Sequence, residues 1–277
     1  MIASKNTAKT KNVLCKDIEK SFASLLMQDI FHKILQIANL NSNVFIVGEI
    51  GSGKKKIAEI IHNNSKHSTK PFYSYYCVDI SENDYKDAFW GRLKLEPDQI
   101  TLRYDALEKS SDGILYLDQF SELSPDYMSN ILDSYTKGCE QLFRYNKSAQ
   151  PRLIISLNQE SYQNILKGSV WKKVLNKLNP VVIVLPPLRE RKEDIPLLID
   201  YFLNEIKKNE ADFKNLRISQ KALDECSNYK WPGNIRQLKN AVLQGAILSY
   251  GETIKSEHLP FSMSWQLPYK FGEKSDS

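Results

Sequence analysis

The chain has 277 residues, 42% of them hydrophobic, and a formal net charge of +5. That length can bury one large core, or a core plus a small second domain. No apolar run approaches the roughly 20 residues needed to span a bilayer. The four cysteines, Cys15, Cys77, Cys139 and Cys226, show no CxxC pair and no metal-like spacing, which speaks against a disulfide framework or a metal knuckle. The same holds for the scattered histidines His32, His62, His67 and His258. Reduced thiols and the absence of a signal peptide's apolar core in MIASKNTAKTKNVLCK lead to the expectation of a cytoplasmic protein. The positive balance suits phosphate ligands or nucleic acid, and equally a solvated lysine-rich surface.

In chain order, residues 1–19 read as a basic flexible arm. Residues 19–39 carry apolar side chains at helical spacing, Phe22, Leu25, Leu26, Ile30, Phe31, Ile34 and Leu35 among them. NVFIVGEIGSGKKKIAEIIHNN reads as strand, tight loop and helix. PFYSYYCVDI is a second strand and GILYLDQF a third. SPDYMSNILDSYTKG follows as a helix with Ser124 as its N-cap. PRLIISLNQ and PVVIVLPP are a fourth and a fifth strand. Strands alternating with helices predict an α/β core with a parallel sheet flanked by helices. After Pro187 the pattern turns helical, in KEDIPLLIDYFLNEIKKN, SQKALDECSNY and NIRQLKNAVLQGAILSY. The expected division is therefore an α/β core over 20–187, a small all-helical lid subdomain over 188–260, and a polar tail over 261–277.

The segment Gly48, Glu49, Ile50, Gly51, Ser52, Gly53, Lys54, Lys55 fits G-x-x-x-x-G-K, and it lies between an apolar strand and a helix. Its glycines let backbone N–H groups wrap a phosphate, the helix N-terminus adds a positive dipole, and Lys54 reaches the outer phosphates. A chance glycine-rich turn is the competing reading, made less attractive by the strand and helix around it. Lys55 stands where this motif has Ser or Thr, and lysine has no acceptor oxygen for magnesium.

Two longer stretches, LPPLRERKEDIPLL (185–198) and WPGNIRQLKNAV (231–242), are more specific. Together with the phosphate loop, KPFYSYYC, WG, GILYLDQFSEL, SLN and GETIKSEHLP in that order, they resemble the AAA+ core of the bacterial sigma-54 activators, the enhancer-binding proteins. The resemblance covers roughly residues 20–260. It implies an AAA+ P-loop core with a helical lid, ATP and Mg2+ as ligands, and assembly into a ring. By matching position it implies that 48–54 hold the phosphates and that Asp118 takes the metal. Asn158 would sense the γ-phosphate, and Arg236 would reach it from the lid. For Arg236 the competing reading is a helix-surface ion pair.

The departures from that pattern fall on chemistry and output. The family has Glu where this chain has Gln119, and an amide cannot take a proton from water at neutral pH. The family has Asn, restraining that Glu, where this chain has Tyr76. Counting back from Leu185 puts Trp171 and Lys177 where the family has two arginines, so the bidentate fork is lost. The family grips sigma-54 with a small, flexible loop containing Gly-Ala-Phe-Thr-Gly-Ala; this chain has RLKLEPDQITLRYDALEK, with Pro97 and Asp98. No helix-turn-helix motif is legible after the lid.

The expectation is therefore a degenerate, stand-alone AAA+ core. It binds ATP with Mg2+, is hydrolysis-deficient, and acts as a nucleotide-dependent regulatory or assembly module without its own DNA-binding domain. Its partners would be copies of itself in a ring, or another AAA+ protein in a hetero-assembly, rather than sigma-54 or a membrane. Two alternatives stand beside it. One is a working ATPase that remodels another partner. The other is a nucleotide-free protein–protein scaffold.

Overall fold

The computed structural model describes residues 23–77, 93–96, 99–102, 106–124, 126–133, 135–136, 150–167, 175–176 and 178–260. The described chain groups into two compact units that divide between Pro187 and Leu188, with the segment ending at Ser24 belonging to the second.

The first unit is built on a five-stranded sheet in the order β2-β5-β6-β1-β7. Its strands are β1 (Val44–Val47), β2 (Phe72–Tyr76), β5 (Ile114–Asp118), β6 (Arg152–Leu157) and β7 (Val181–Val184). Every pairing is parallel. The three inner strands VFIV, ILYL and RLIISL are buried at each of these positions. Such continuous apolar runs belong to strands covered on both faces. Each fully buried Leu, Ile or Phe contributes about 1.5–3 kcal/mol. One layer of the core joins Phe45, Leu115, Leu117, Leu153 and Ile155 to Phe120, Ile131, Leu132 and Tyr135.

Helix α1 (Leu25–Ala38) buries Met27, Ile30, Phe31, Ile34 and Ala38, the stripe its sequence spacing predicts. It packs on α2 (Lys54–Asn63), which in turn packs on β1, β5 and β6. Described helical structure in the first stretch therefore starts at Leu25, and residues 19–22 of the predicted helix lie outside the described residues. A single turn, α3 (Ala106–Lys109), precedes β5, and α4 (Gln159–Lys167) follows β6. Residues 126–133 are helical.

The segment RLKLEPDQITLRYDALEK contains an antiparallel pair, β3 (Leu93–Glu96) with β4 (Gln99–Leu102). Pro97 and Asp98 fall between the strands and lie outside the described residues.

The second unit holds α5 (Asp194–Asn209), α6 (Gln220–Asn228) and α7 (Asn234–Leu248). They close around Leu188, Ile195, Ile199, Phe202, Leu203, Trp231, Leu238 and Val242. A two-residue parallel ladder, β8 (Arg217–Ile218) with β9 (Thr253–Ile254), joins the segment before α6 to the segment after α7. Ser219 caps α6 by accepting the Ala222 N–H at 3.3 Å.

The two long sequence motifs meet inside this unit. Asn234 is fully buried, and its Oδ1 accepts the Leu188 N–H at 2.7 Å. Trp231, also fully buried, donates its indole N–H to the Cys226 carbonyl at 2.7 Å. Asp194 accepts the N–H groups of Ala23 and Ser24 at 2.7 and 2.8 Å.

Candidate functional site

The site is assembled at the C-terminal ends of β1, β6, β5 and β2, where an open parallel sheet presents its loops. The 48–55 loop follows β1 directly. Its start is fixed by the Gly48 N–H, which donates to the Leu157 carbonyl at 3.0 Å. Gly51 and Gly53 take φ of 76° and 101°, a backbone region that glycine enters without steric cost. At Gly48 a Cβ would stand 2.9 Å from the Ser52 hydroxyl and 3.2 Å from Leu185, so a side chain there would displace the loop. Gly53 leads into α2, a helix with no acidic residue in its first turn. Its positive dipole end therefore faces the loop with no acidic side chain in that turn to offset it.

Lys54 is the first residue of α2. Its ammonium donates to the carbonyls of Gly48 and Glu49 at 2.8 and 2.9 Å, lying across the start of the loop. Ser52 is buried, whereas Ile50 and Lys55 are exposed. Lys55 thus points its charge to solvent from the helix surface rather than replacing a hydroxyl ligand.

Asp118 ends β5, and its hydrogen bonds among the described residues all fall on Oδ1. That oxygen accepts the Tyr116 hydroxyl at 2.9 Å, the Ser156 hydroxyl at 3.0 Å and the Gln119 N–H at 3.0 Å. Burial, and the Asp118 charge after it, push the Tyr116 phenol far above its ordinary pKa, so it stays protonated and donating. Oδ2 has no hydrogen-bond partner among the described residues.

Gln119 follows with φ 54° and ψ 36°, left-handed for a residue that has a Cβ. Such a conformation costs about 1 kcal/mol or more. It is held because the Gln119 N–H has a second acceptor, the Ser156 hydroxyl at 2.8 Å. Tyr76, at the end of β2 and 42% exposed, stands opposite Asp118 in the strand register. Its hydroxyl donates to Gln119 Oε1 at 2.9 Å.

Strand β6 lies between β1 and β5, so Asn158 at its end sits between the phosphate loop and Asp118. Asn158 caps α4: its Oδ1 accepts the Ser161 N–H at 2.7 Å. Its own N–H donates to the Ser121 hydroxyl at 3.1 Å, which ties it to the turn after Gln119.

The structure thus brings together Gly48 to Lys54, Asp118, Gln119, Tyr76 and Asn158. Arg236 belongs to the second unit, exposed on the first turn of α7, and no ion pair of the described residues involves it. Trp171 and Lys177 lie outside the described residues. Sequence reasoning missed Ser156, Tyr116 and Ser121. Ser156 had a signal, being the one hydroxyl in the otherwise apolar run LIISL of a buried strand.

The donor set fits a polyphosphate with magnesium. The loop offers N–H groups and an ammonium, and a single carboxylate with a spare oxygen matches a metal that keeps waters and phosphate oxygens as its other ligands. Among the described residues, no group of three His, Cys, Asp or Glu side chains forms a separate metal site.

Residues 21–184 match the sigma-54 interaction domain, and residues 189–273 match the AAA+ ATPase lid domain. The chain belongs to the sigma-54 interaction domain family. Among relatives, it is 31% identical over 241 residues to the regulatory protein LuxO of Vibrio vulnificus, covering 86% of this chain and 53% of that one. It is 29% identical over 231 residues to the Nif-specific regulatory protein of Azotobacter vinelandii, covering 82% and 44%. The chain spans about half the length of the curated relatives it matches. Among solved structures, NtrX from Brucella abortus in complex with ADP superposes with a TM-score of 0.73 at 27% identity, over 94% of this chain and 62% of that one. The ATP complex of the same protein gives 0.70 at 26% identity, with the same coverage. The AAA+ fold with a parallel sheet and helical lid is thereby established for this member of the family.

Proposed function

We propose that this sigma-54 interaction domain binds ATP with magnesium, hydrolyses it slowly or not at all, and works as a nucleotide-dependent regulatory or assembly module. The observation that carries the reading is the Tyr76–Gln119 pair. The residue placed to meet an attacking water is an amide, and its only oxygen is engaged by a phenol. An amide takes up no proton at neutral pH, and a positioned general base contributes about 10²–10⁴ in rate. The residues we assign to binding are Gly48 to Lys54 for the phosphates, Asp118 for magnesium and Asn158 beside them, and the second unit keeps Arg236. Magnesium would supply charge neutralisation on the phosphates. The nucleotides carried by the NtrX structures support the same ligand class here.

As a nucleotide-dependent module, the domain would assemble with its own copies or with another AAA+ protein. Calorimetric titration of ATP and magnesium into the protein and into Lys54→Ala tests the reading. Micromolar binding that the variant loses, with no phosphate released over an hour, is the expected result. Absence of binding, or fast turnover abolished in Lys54→Ala, overturns it. Light scattering with and without nucleotide checks the assembly step.

A further inference from the structure

The two amides at the strand ends are presented in the same sense. Gln119 has its Oε1 occupied by the Tyr76 hydroxyl at 2.9 Å, and Asn158 has its Oδ1 occupied by the Ser161 N–H at 2.7 Å. In both, the NH2 group is left without a partner among the described residues. These residues sit at the ends of neighbouring strands, β5 and β6, beside the phosphate loop. The Ser161 N–H can only donate, which fixes the Asn158 amide; the Tyr76 hydroxyl, placed as a donor, leaves Gln119 presenting its NH2, so in this arrangement this edge of the site offers hydrogen-bond donors. The main-chain N–H of Gln119 is itself fixed by Asp118 and Ser156, so the Gln119 side chain starts from an anchored point.

We infer that Tyr76 positions Gln119 so that its NH2 group donates to the terminal phosphate of a nucleoside triphosphate, and that the site distinguishes triphosphate from diphosphate through this contact by binding alone. The inference rests on the nucleotide-binding reading and adds what the replaced pair does. A glutamate at position 119 would face the same phosphate with a negative charge and would repel it. The amide removes that repulsion and adds a donor. Tyr76 has a matching role: a phenol reaches across from β2 and donates, which orients the amide.

The test compares binding of magnesium with a non-hydrolysable ATP analogue and of magnesium with ADP, by calorimetry, for the unaltered protein, Gln119→Ala and Tyr76→Phe. The unaltered protein is expected to prefer the triphosphate. Gln119→Ala should weaken the triphosphate by about 10- to 100-fold, the worth of one hydrogen bond to a charged group, and move ADP by less than about threefold. Tyr76→Phe, which keeps the ring and loses only the hydroxyl, should shrink the same preference. Equal loss for both nucleotides, or no change in either variant, overturns the inference and leaves nucleotide binding standing. No binding of either nucleotide by the unaltered protein overturns the nucleotide reading and this inference with it. Thermal melts of both variants show whether they are folded; Tyr76→Phe is exposed and conservative, and keeps the test decisive if Gln119→Ala is unstable.

Discussion

The Tyr76 hydroxyl donates to Gln119 Oε1 across the ends of β2 and β5, at 2.9 Å. The sequence resemblance marks both as departures from the family motif, and the fold brings them into contact. The phenol meets an amide, where the resemblance leads one to expect a carboxylate. The contact makes the replacement of two separate positions a single structural arrangement.

Restoring that pair is expected to restore chemistry. Gln119→Glu combined with Tyr76→Asn returns a carboxylate and the residue the family uses to restrain it. Phosphate release measured with excess ATP should rise by about 100-fold over the unaltered protein, toward the lower part of the range for a positioned base. Gln119→Glu alone should gain less, because the Tyr76 hydroxyl would still hydrogen-bond the new carboxylate and lower its basicity. An unchanged rate in the double variant would show that the base is not the missing part.

The second unit should depend on Asn234. This residue has φ 52° and is fully buried, and its Oδ1 receives the Leu188 N–H. Asn234→Ala puts an alanine in a left-handed conformation and strands a buried N–H, a loss of about 2–4 kcal/mol. Asn234→Gly relieves the backbone but still loses the Leu188 hydrogen bond, about 1–3 kcal/mol. Chemical denaturation of both variants should therefore rank glycine above alanine. The reverse order would mean that the backbone conformation carries no cost.

The buried thiols should be silent. Burial pushes the Cys226 thiol up to about 12, with the Glu225 charge adding to it, and burial pushes Cys77 higher still. The thiolate is the reactive form, so at pH 8 alkylation of Cys226 should run roughly a thousandfold slower than that of a free cysteine of ordinary pKa near 8.5. Peptide mapping after brief iodoacetamide treatment should find both residues unmodified in the folded protein and modified in denaturant. Rapid labelling of either would show that its surroundings open on that timescale.

Much of the sheet was readable before any coordinates. VFIV, GILYLD and RLIISL are apolar runs too short for helices and bounded by glycine, proline or polar residues, and all became inner parallel strands. The phosphate loop was readable because its geometry is local: glycines with positive φ, then a helix, within eight residues. The identities of Gln119 and Tyr76 were plain as well, since a departure from a motif is visible letter by letter.

What the letters could not decide was which separated groups meet. Tyr76 and Gln119 are 43 residues apart, and only the parallel register of β2 against β5 sets them side by side. Ser156 reaches Asp118 because β6 is the strand next to β5, a matter of strand order rather than spacing. Arg152 opens β6 and carried no sequence signal. In the fold its guanidinium donates to the carbonyls of Ile37, Ala38 and Ser42, and burial draws its pKa down to about 10. Local sequence determined which segments become strands, helices and the phosphate loop, because propensity, apolar periodicity and turn chemistry act over a few residues. Tertiary structure decided the hydrogen bonds of the site, because those depend on long-range packing that places the ends of different strands within about 3 Å of one another.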